Sequence, residues 1–346
     1  MRHFINTVSL LSVVCLSTLL QAQTKTPLTG DSSEQLVAVL NVARDPFQVP
    51  DTDDVDELLE FTQKVLTFEP TSQEELEQYQ KQVPLVLSEA CERIQKLEKD
   101  KKSKAWRTAE AILIQLQIRD LGQEGNTVNK RELLARARRF VDGSPLGVME
   151  FQVAQGLSSA LEYSDDKALA AEAYYSLGEM LQKSETREVA KMAEMLIGAG
   201  RRMNLVGKPL ELQGTTIGGK PFDIKDLRGK VVLIDFWATW CGPCRAEHPN
   251  IEKNYETYRD KGFEVVGVSL DDDREALEEY VKEQQVPWLT LHEKEAGGKH
   301  PAATYYGIFG IPAMMLVDQE GKVVSLNTRG KRLGEQLEKM LGEASK

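Results

Sequence analysis

The stretch Val231-Val232-Leu233-Ile234-Asp235-Phe236-Trp237-Ala238-Thr239-Trp240-Cys241-Gly242-Pro243-Cys244 constrains this chain most. Its first seven residues are apolar except Asp235, the pattern of a strand covered on both faces, as in a parallel sheet. Gly242-Pro243 then opens a helix, with Cys241 at the N-cap position. Pro243 falls early in the helix, where its missing N–H is no loss. A cap side chain accepts from the second or third backbone N–H. Only the third is available here, so a Cys241 thiolate takes the N–H of Cys244 and lies at the positive end of the helix. Both effects lower its pKa and make Cys241 a nucleophile. Cys244, one turn in and less exposed, is the resolving thiol.

Cysteine usage supports exchange over stapling. There are four cysteines, and a bridge spanning two residues constrains almost no chain entropy. A zinc knuckle needs four ligands, and neither a second Cys-x-x-Cys nor a His-x-His pair is present; His248, one turn past Cys244, stands alone. No metal is expected. Cys91 lies on a helical stripe with Val83, Leu87, Ala90, Ile94 and Leu97 and reads as a buried inert thiol.

The N-terminus reads as a targeting segment. Arg2 and His3 supply a positive end, Ile5 to Leu20 an apolar stretch, and Leu20-Gln21-Ala22 a small-residue cut site, giving residues 1–22 as a signal peptide. The run approaches membrane-spanning length, so an uncleaved anchor is the alternative. Either way the remainder is exported, to a periplasm or the outer face of the cytoplasmic membrane.

The 346 residues suit about two domains. From about Ser32 to Asn204 the pattern is helical almost throughout, with helices expected near 105–121, 130–141, 146–163, 166–183 and 186–203. This all-α part, residues 23–205, carries no constellation that reads as a catalytic site. The net charge of −11 argues against nucleic acid or anionic lipid as partner. The basic runs at Lys99–Lys104 and Lys130–Arg139 read as solvated helix faces. After Leu205 the texture changes to strands alternating with helices: an opening hairpin about Gly218-Gly219-Lys220, strand 231–237, helix 242–260, strand 263–270, helix 273–285, strand 288–292, a short helix near 301–306, strands 313–318 and 322–327, and a closing helix 331–342. Residues 206–346 form an α/β domain.

That order of elements, with Trp before Cys-Gly-Pro-Cys, resembles the thioredoxin fold over roughly 206–346. Cys-x-x-Cys-x-x-Glu-x-Pro, completed by Glu247 and Pro249, is similar to the TlpA/ResA subset. The resemblance implies a protein-disulfide oxidoreductase with no bound cofactor. It also implies a cis bond at Ile311-Pro312 facing the disulfide, which leaves the preceding backbone free to pair with an extended substrate; a trans proline at a strand start is the alternative.

Asp235 lies mid-strand, where burial raises a carboxyl pKa toward neutrality and makes it a proton acceptor for Cys244. The alternative is a buried acid satisfied by backbone donors. Some ResA-like proteins place the working acid elsewhere, and Asp272, after the next strand, occupies about that position; a helix cap is its alternative. Glu247 either tunes the site or is an exposed helical Glu. Trp237 reads as core and Trp240 as a flat exposed platform for the partner. Gly242-Pro243 looks like the reducing end of the superfamily. The expected partners are protein disulfides or dithiols and an upstream envelope electron donor, with membrane contact only through an uncleaved N-terminus.

Two rival functions follow from the same residues. A thiol peroxidase shares the strands, but Ile234 and Ala238 stand where its Pro and Thr belong. Alternatively the helical part is a protein-binding scaffold that the redox module serves.

Overall fold

The computed structural model describes residues 46–142, 145–293 and 300–343. The expected signal segment and Cys15 lie outside them. Two compact units divide the described residues: one draws on those up to 169 and on 179–190, the other on 170–178 and those from 191 on.

The first unit is helical: α1 (Val55–Leu66), α2 (Gln73–Leu97), α3 (Lys104–Leu121), α4 (Lys130–Asp142) and α5 (Val148–Glu162), with the ends of α6 (Lys167–Leu181) and the start of α7 (Arg187–Met203). Polar caps start the helices, as at Ser72, whose hydroxyl accepts from the Glu75 N–H at 3.1 Å while Glu75 accepts from Thr71 N–H at 2.7 Å. Cys91 is fully buried among Leu58, Val83, Leu87, Ala90, Ile94 and Ile112. Burial pushes its thiol pKa far up, with the charge of Glu92 adding to the effect.

In the basic run on α4, Arg131 and Arg139 are exposed as expected, and Arg136 departs from that pattern. Arg136 is a fork onto Glu110 of α3, with Nε and Nη2 each 2.7 Å from a carboxylate oxygen. Burial pushes the Glu110 carboxyl up, but hydrogen bonds from Arg136 and Gln95 outweigh it and hold the group below its ordinary value. Arg107 and Glu150 form a second pair at 2.8 Å, almost wholly buried. These charges serve the packing of the unit rather than a solvated face.

The second unit is built on a five-stranded mixed sheet ordered β5-β4-β3-β6-β7. Its elements are the hairpin β1 (Gln213–Thr215) and β2 (Pro221–Asp223), β3 (Val231–Trp237), α8 (Gly242–Tyr258), β4 (Phe263–Ser269), α9 (Arg274–Glu283), β5 (Leu289–Leu291), α10 (Pro301–Tyr305), β6 (Ala313–Val317), β7 (Val323–Ser325) and α11 (Lys331–Leu341). β3 pairs parallel to β4 and antiparallel to β6. All seven residues of β3 are buried because both faces are covered. Val232, Ile234 and Phe236 pack with Leu210, Leu212, Ala303 and Tyr306. Val231 and Leu233 pack with Ile251 and Tyr258 of α8 and Leu333 and Leu337 of α11. The alternation places Asp235 on this second face, beneath the helix that begins at the cysteines.

Within the same unit, the latter half of α7 meets the end of α10 at backbone distance. A Cβ on Gly307 would lie 2.1 Å from the Ala199 nitrogen, and Gly307 also has φ +57°. Arg201 and Arg202 donate to the carbonyls of Tyr305 and Tyr306.

Candidate active site

Cys241 and Cys244 are joined as a disulfide at the head of α8. Cys241 is the N-cap, with extended backbone at φ −82°, ψ 98°, and its sulfur accepts from the Cys244 N–H at 3.2 Å. Gly242 and Pro243 fill the first two helical positions, so the third supplies the amide that the sulfur receives. Both sulfur-bearing residues are nearly buried, Cys241 at 5% and Cys244 at 1% exposure. Their apolar surroundings are Trp237, Ala238 and Leu277, with Ile311 packed alongside. The Ile311-Pro312 peptide bond is cis. Trp240 is 65% exposed beside Cys241, and Gly242 and Pro243 are exposed too.

Asp235 has 1% exposure, and neither carboxylate oxygen has a hydrogen-bond partner. The backbone donors that would have made it an ordinary satisfied acid are not supplied. Burial, assisted by the charge of Glu247 and opposed by Arg329, pushes its carboxyl up to about 7. Trp237, two residues on, lies with its indole across β4; a side chain at Gly267, the residue opposite Asp235, would meet Trp237 Nε1 at 2.8 Å.

Glu247 is half-buried. Its Oε1 accepts from the Asn250 amide and the Gly330 N–H, each at 2.7 Å, and so pins α8 to the loop before α11. Asp272 is exposed, and the cap of α9 is its neighbour Asp273, which accepts from the N–H groups of Glu275 and Ala276. The acid nearer the site in this run is Asp271, buried at 4%. It accepts from Thr239 N–H at 3.0 Å, Thr239 Oγ1 at 2.6 Å and Ser269 Oγ at 2.9 Å.

Read from the sequence alone, Asp271 has no role and His248 stands only as a metal ligand without partners. Asp271 sits two residues beyond Ser269, at the strand end where facing is hardest to assign. His248 stands four residues after Cys244, a spacing that shares one helix face. It packs against Trp237, Trp288 and Tyr280, with its Nε2 4.0 Å from Asp235 Oδ2. Among the described residues no group of three or more His, Cys, Asp or Glu is placed to hold a metal ion, and no helix is long and apolar enough to cross a membrane.

This arrangement can carry reversible dithiol exchange: a capped sulfur, its partner one turn in, and an unpaired acid beneath. Residues 202–341 match the family model described as Redoxin. A thiol-disulfide oxidoreductase ResA from Bacillus thuringiensis subsp. konkukian is 34% identical over 127 residues, covering 37% of this chain and 70% of that relative. The ResA of Bacillus subtilis is 30% identical over 110 residues, covering 32% and 59%. Among solved structures, the thioredoxin domain of a thiol-disulfide oxidoreductase from Bacteroides vulgatus is 34% identical, covers 38% of this chain and 94% of that one, and has a TM-score of 0.36.

Proposed function

The chain belongs to the thiol–disulfide oxidoreductases of the ResA type, and from that premise we propose that it is an exported reductase of protein disulfides in the cell envelope. Cys241 is the nucleophile. Its thiolate attacks a substrate disulfide, forming a Cys241–substrate bond and releasing one substrate sulfur as a thiolate that takes a proton from water. Cys244 gives its proton to Asp235 and attacks Cys241 Sγ. The mixed disulfide breaks, the second substrate sulfur leaves reduced, and Cys241–Cys244 closes. Two electrons pass to the substrate. An upstream dithiol donor in the envelope then reopens the pair by the reverse exchange.

The observation that carries this reading is the Cys241 sulfur on the Cys244 N–H at 3.2 Å, at a helix N-terminus. That position favours the anion and so the nucleophile. Ile311 packs beside the sulfurs and is joined by a cis bond to Pro312; in this reading that segment offers backbone to an extended substrate, and Trp240 offers an exposed face. Glu247 tunes the site through Asp235, whose carboxyl its charge helps to raise. Asp272 is exposed, and this reading gives it no part in the proton transfer. Segment 1–22 supplies export, 206–346 the chemistry, and 23–205 a helical platform.

The test is turnover of a protein disulfide by the full chain with a small dithiol as donor. Wild type is expected to turn over, Cys241→Ser to be inactive, and the pair to equilibrate with glutathione mixtures. Full activity in Cys241→Ser overturns the proposal.

A further inference from the structure

Asp235 poses a problem that the exchange chemistry leaves open. A carboxyl that takes the Cys244 proton must pass it on before the next cycle, yet Asp235 is 1% exposed and both its oxygens are unpartnered. The basic group that faces it is His248, with Nε2 4.0 Å from Oδ2. That nitrogen is itself buried and without a hydrogen-bond partner, while 11% of the His248 side chain still reaches solvent. Two unsatisfied buried groups face each other across a gap that a shift of roughly 1 Å closes to a hydrogen bond.

Resting on the reading above, we propose that His248 is the proton exit of this site, a positioning residue that acts through Asp235 rather than on the sulfurs. Asp235 receives the Cys244 proton as Cys244 attacks. The Oδ2–H then passes to His248 Nε2, and the ring releases its Nδ1 proton to water. The net transfer is one proton from Cys244 to solvent, and the electron pair goes to the substrate sulfur. Reduction of the pair runs the steps backwards and restores the starting tautomer.

The surroundings suit the role. Trp237, Trp288 and Tyr280 hold the ring at centroid distances of 4.7, 5.6 and 6.1 Å. Burial keeps the imidazole below its ordinary pKa and hence neutral, able to accept. The charged or titratable groups bearing on the pair are Glu247 on α8, Arg329 before α11 and, on α9, Tyr280, which Arg245 influences in turn. Burial and Glu247 raise Asp235 and Arg329 lowers it, and the result near 7 lets the proton move either way at neutral pH.

The experiment is steady-state turnover of the full chain with excess protein disulfide and a small dithiol donor, so that Asp235 must be reset in every cycle, following release of the second substrate thiol over a range of pH. His248→Phe keeps an aromatic ring among Trp237, Trp288 and Tyr280. It is expected to slow that release roughly tenfold at neutral pH, a part of what general acid–base transfer supplies, and to shift the pH profile. In an Asp235→Asn background the same change should have no further effect, because the two act in series. His248→Ala should regain rate with added imidazole. A wild-type rate and profile in His248→Phe overturns the proposal. So does a slow variant whose profile is unmoved, whose loss adds to that of Asp235→Asn and whose alanine counterpart imidazole cannot rescue. Absence of turnover in wild type would instead strike at the reductase reading itself.

Discussion

Asp271 holds Thr239 twice, accepting its backbone N–H at 3.0 Å and its hydroxyl at 2.6 Å, and thereby fixes the loop that carries exposed Trp240 and leads into the nearly buried Cys241 cap. Ser269 and the Asp271 backbone complete the knot: Asp271 N–H donates to Ser269 Oγ at 3.0 Å, and Ser269 Oγ donates back to the carboxylate at 2.9 Å. His292 Nε2 lies 3.0 Å from the Asp271 carbonyl oxygen.

Removing that carboxylate leaves three donors unpaired in a buried setting. Asp271→Ala should cost about 2–3 kcal/mol of stability, the range for hydrogen bonds to a charged group. It should also slow exchange, since Cys241 loses its fixed position. Urea unfolding followed by tryptophan fluorescence measures the first effect, and a wild-type midpoint would contradict it.

The Asp235 carboxyl makes stability depend on pH. Its folded pKa, about 7, lies above that of an unfolded Asp. The folded state therefore binds the proton more tightly, and this contribution is fully present below the unfolded value near 4. It is lost as pH rises toward 7, at up to about 1.4 kcal/mol per pH unit. The oxidised protein should thus weaken from pH 4 to 7, and Asp235→Asn should flatten that slope. Urea midpoints across the range test it, and an equally steep slope in the variant would refute the assignment.

Gly307 is a steric requirement. A Cβ there would stand 2.1 Å from Ala199 N and 2.2 Å from Met195 O, both on α7, with φ at +57°. Backbone cannot yield as a side chain can, so Gly307→Ala should cost more than about 2 kcal/mol and separate α7 from α10. A thermal midpoint within a degree of wild type would contradict this.

Cys91 should stay silent in the native reduced protein. It has no solvent exposure, and burial raises its thiol pKa well above the ordinary value. Alkylation at neutral pH should modify Cys241 first and Cys91 only after unfolding, as mapped by peptide mass. Early label on Cys91 would show that the helical core opens.

The legible parts of this molecule are those whose signal is local. The apolar run 231–237, the Cys241 cap with Pro243 behind it, and the turn Asp318-Gln319-Glu320-Gly321 each carry their geometry in adjacent residues, and the elements appear within a few residues of their expected places. What stayed hidden depends on partners distant in sequence. Arg136 looked like one more solvated charge because Glu110 lies 26 positions away. Asp271 was indistinguishable from Asp272 and Asp273, since only the end of β4 decides which of the three turns inward, toward Thr239. His248 looked like a stray ligand until β3 brought Asp235 beneath it.

The most direct test is a trap. Reduced Cys244→Ser, mixed with a disulfide-bonded protein substrate, should accumulate a covalent adduct that peptide mapping places on Cys241, whereas wild type should release its product and retain none. An adduct absent from Cys241, with wild type still turning over substrate, would contradict the assignment of the capped sulfur as nucleophile.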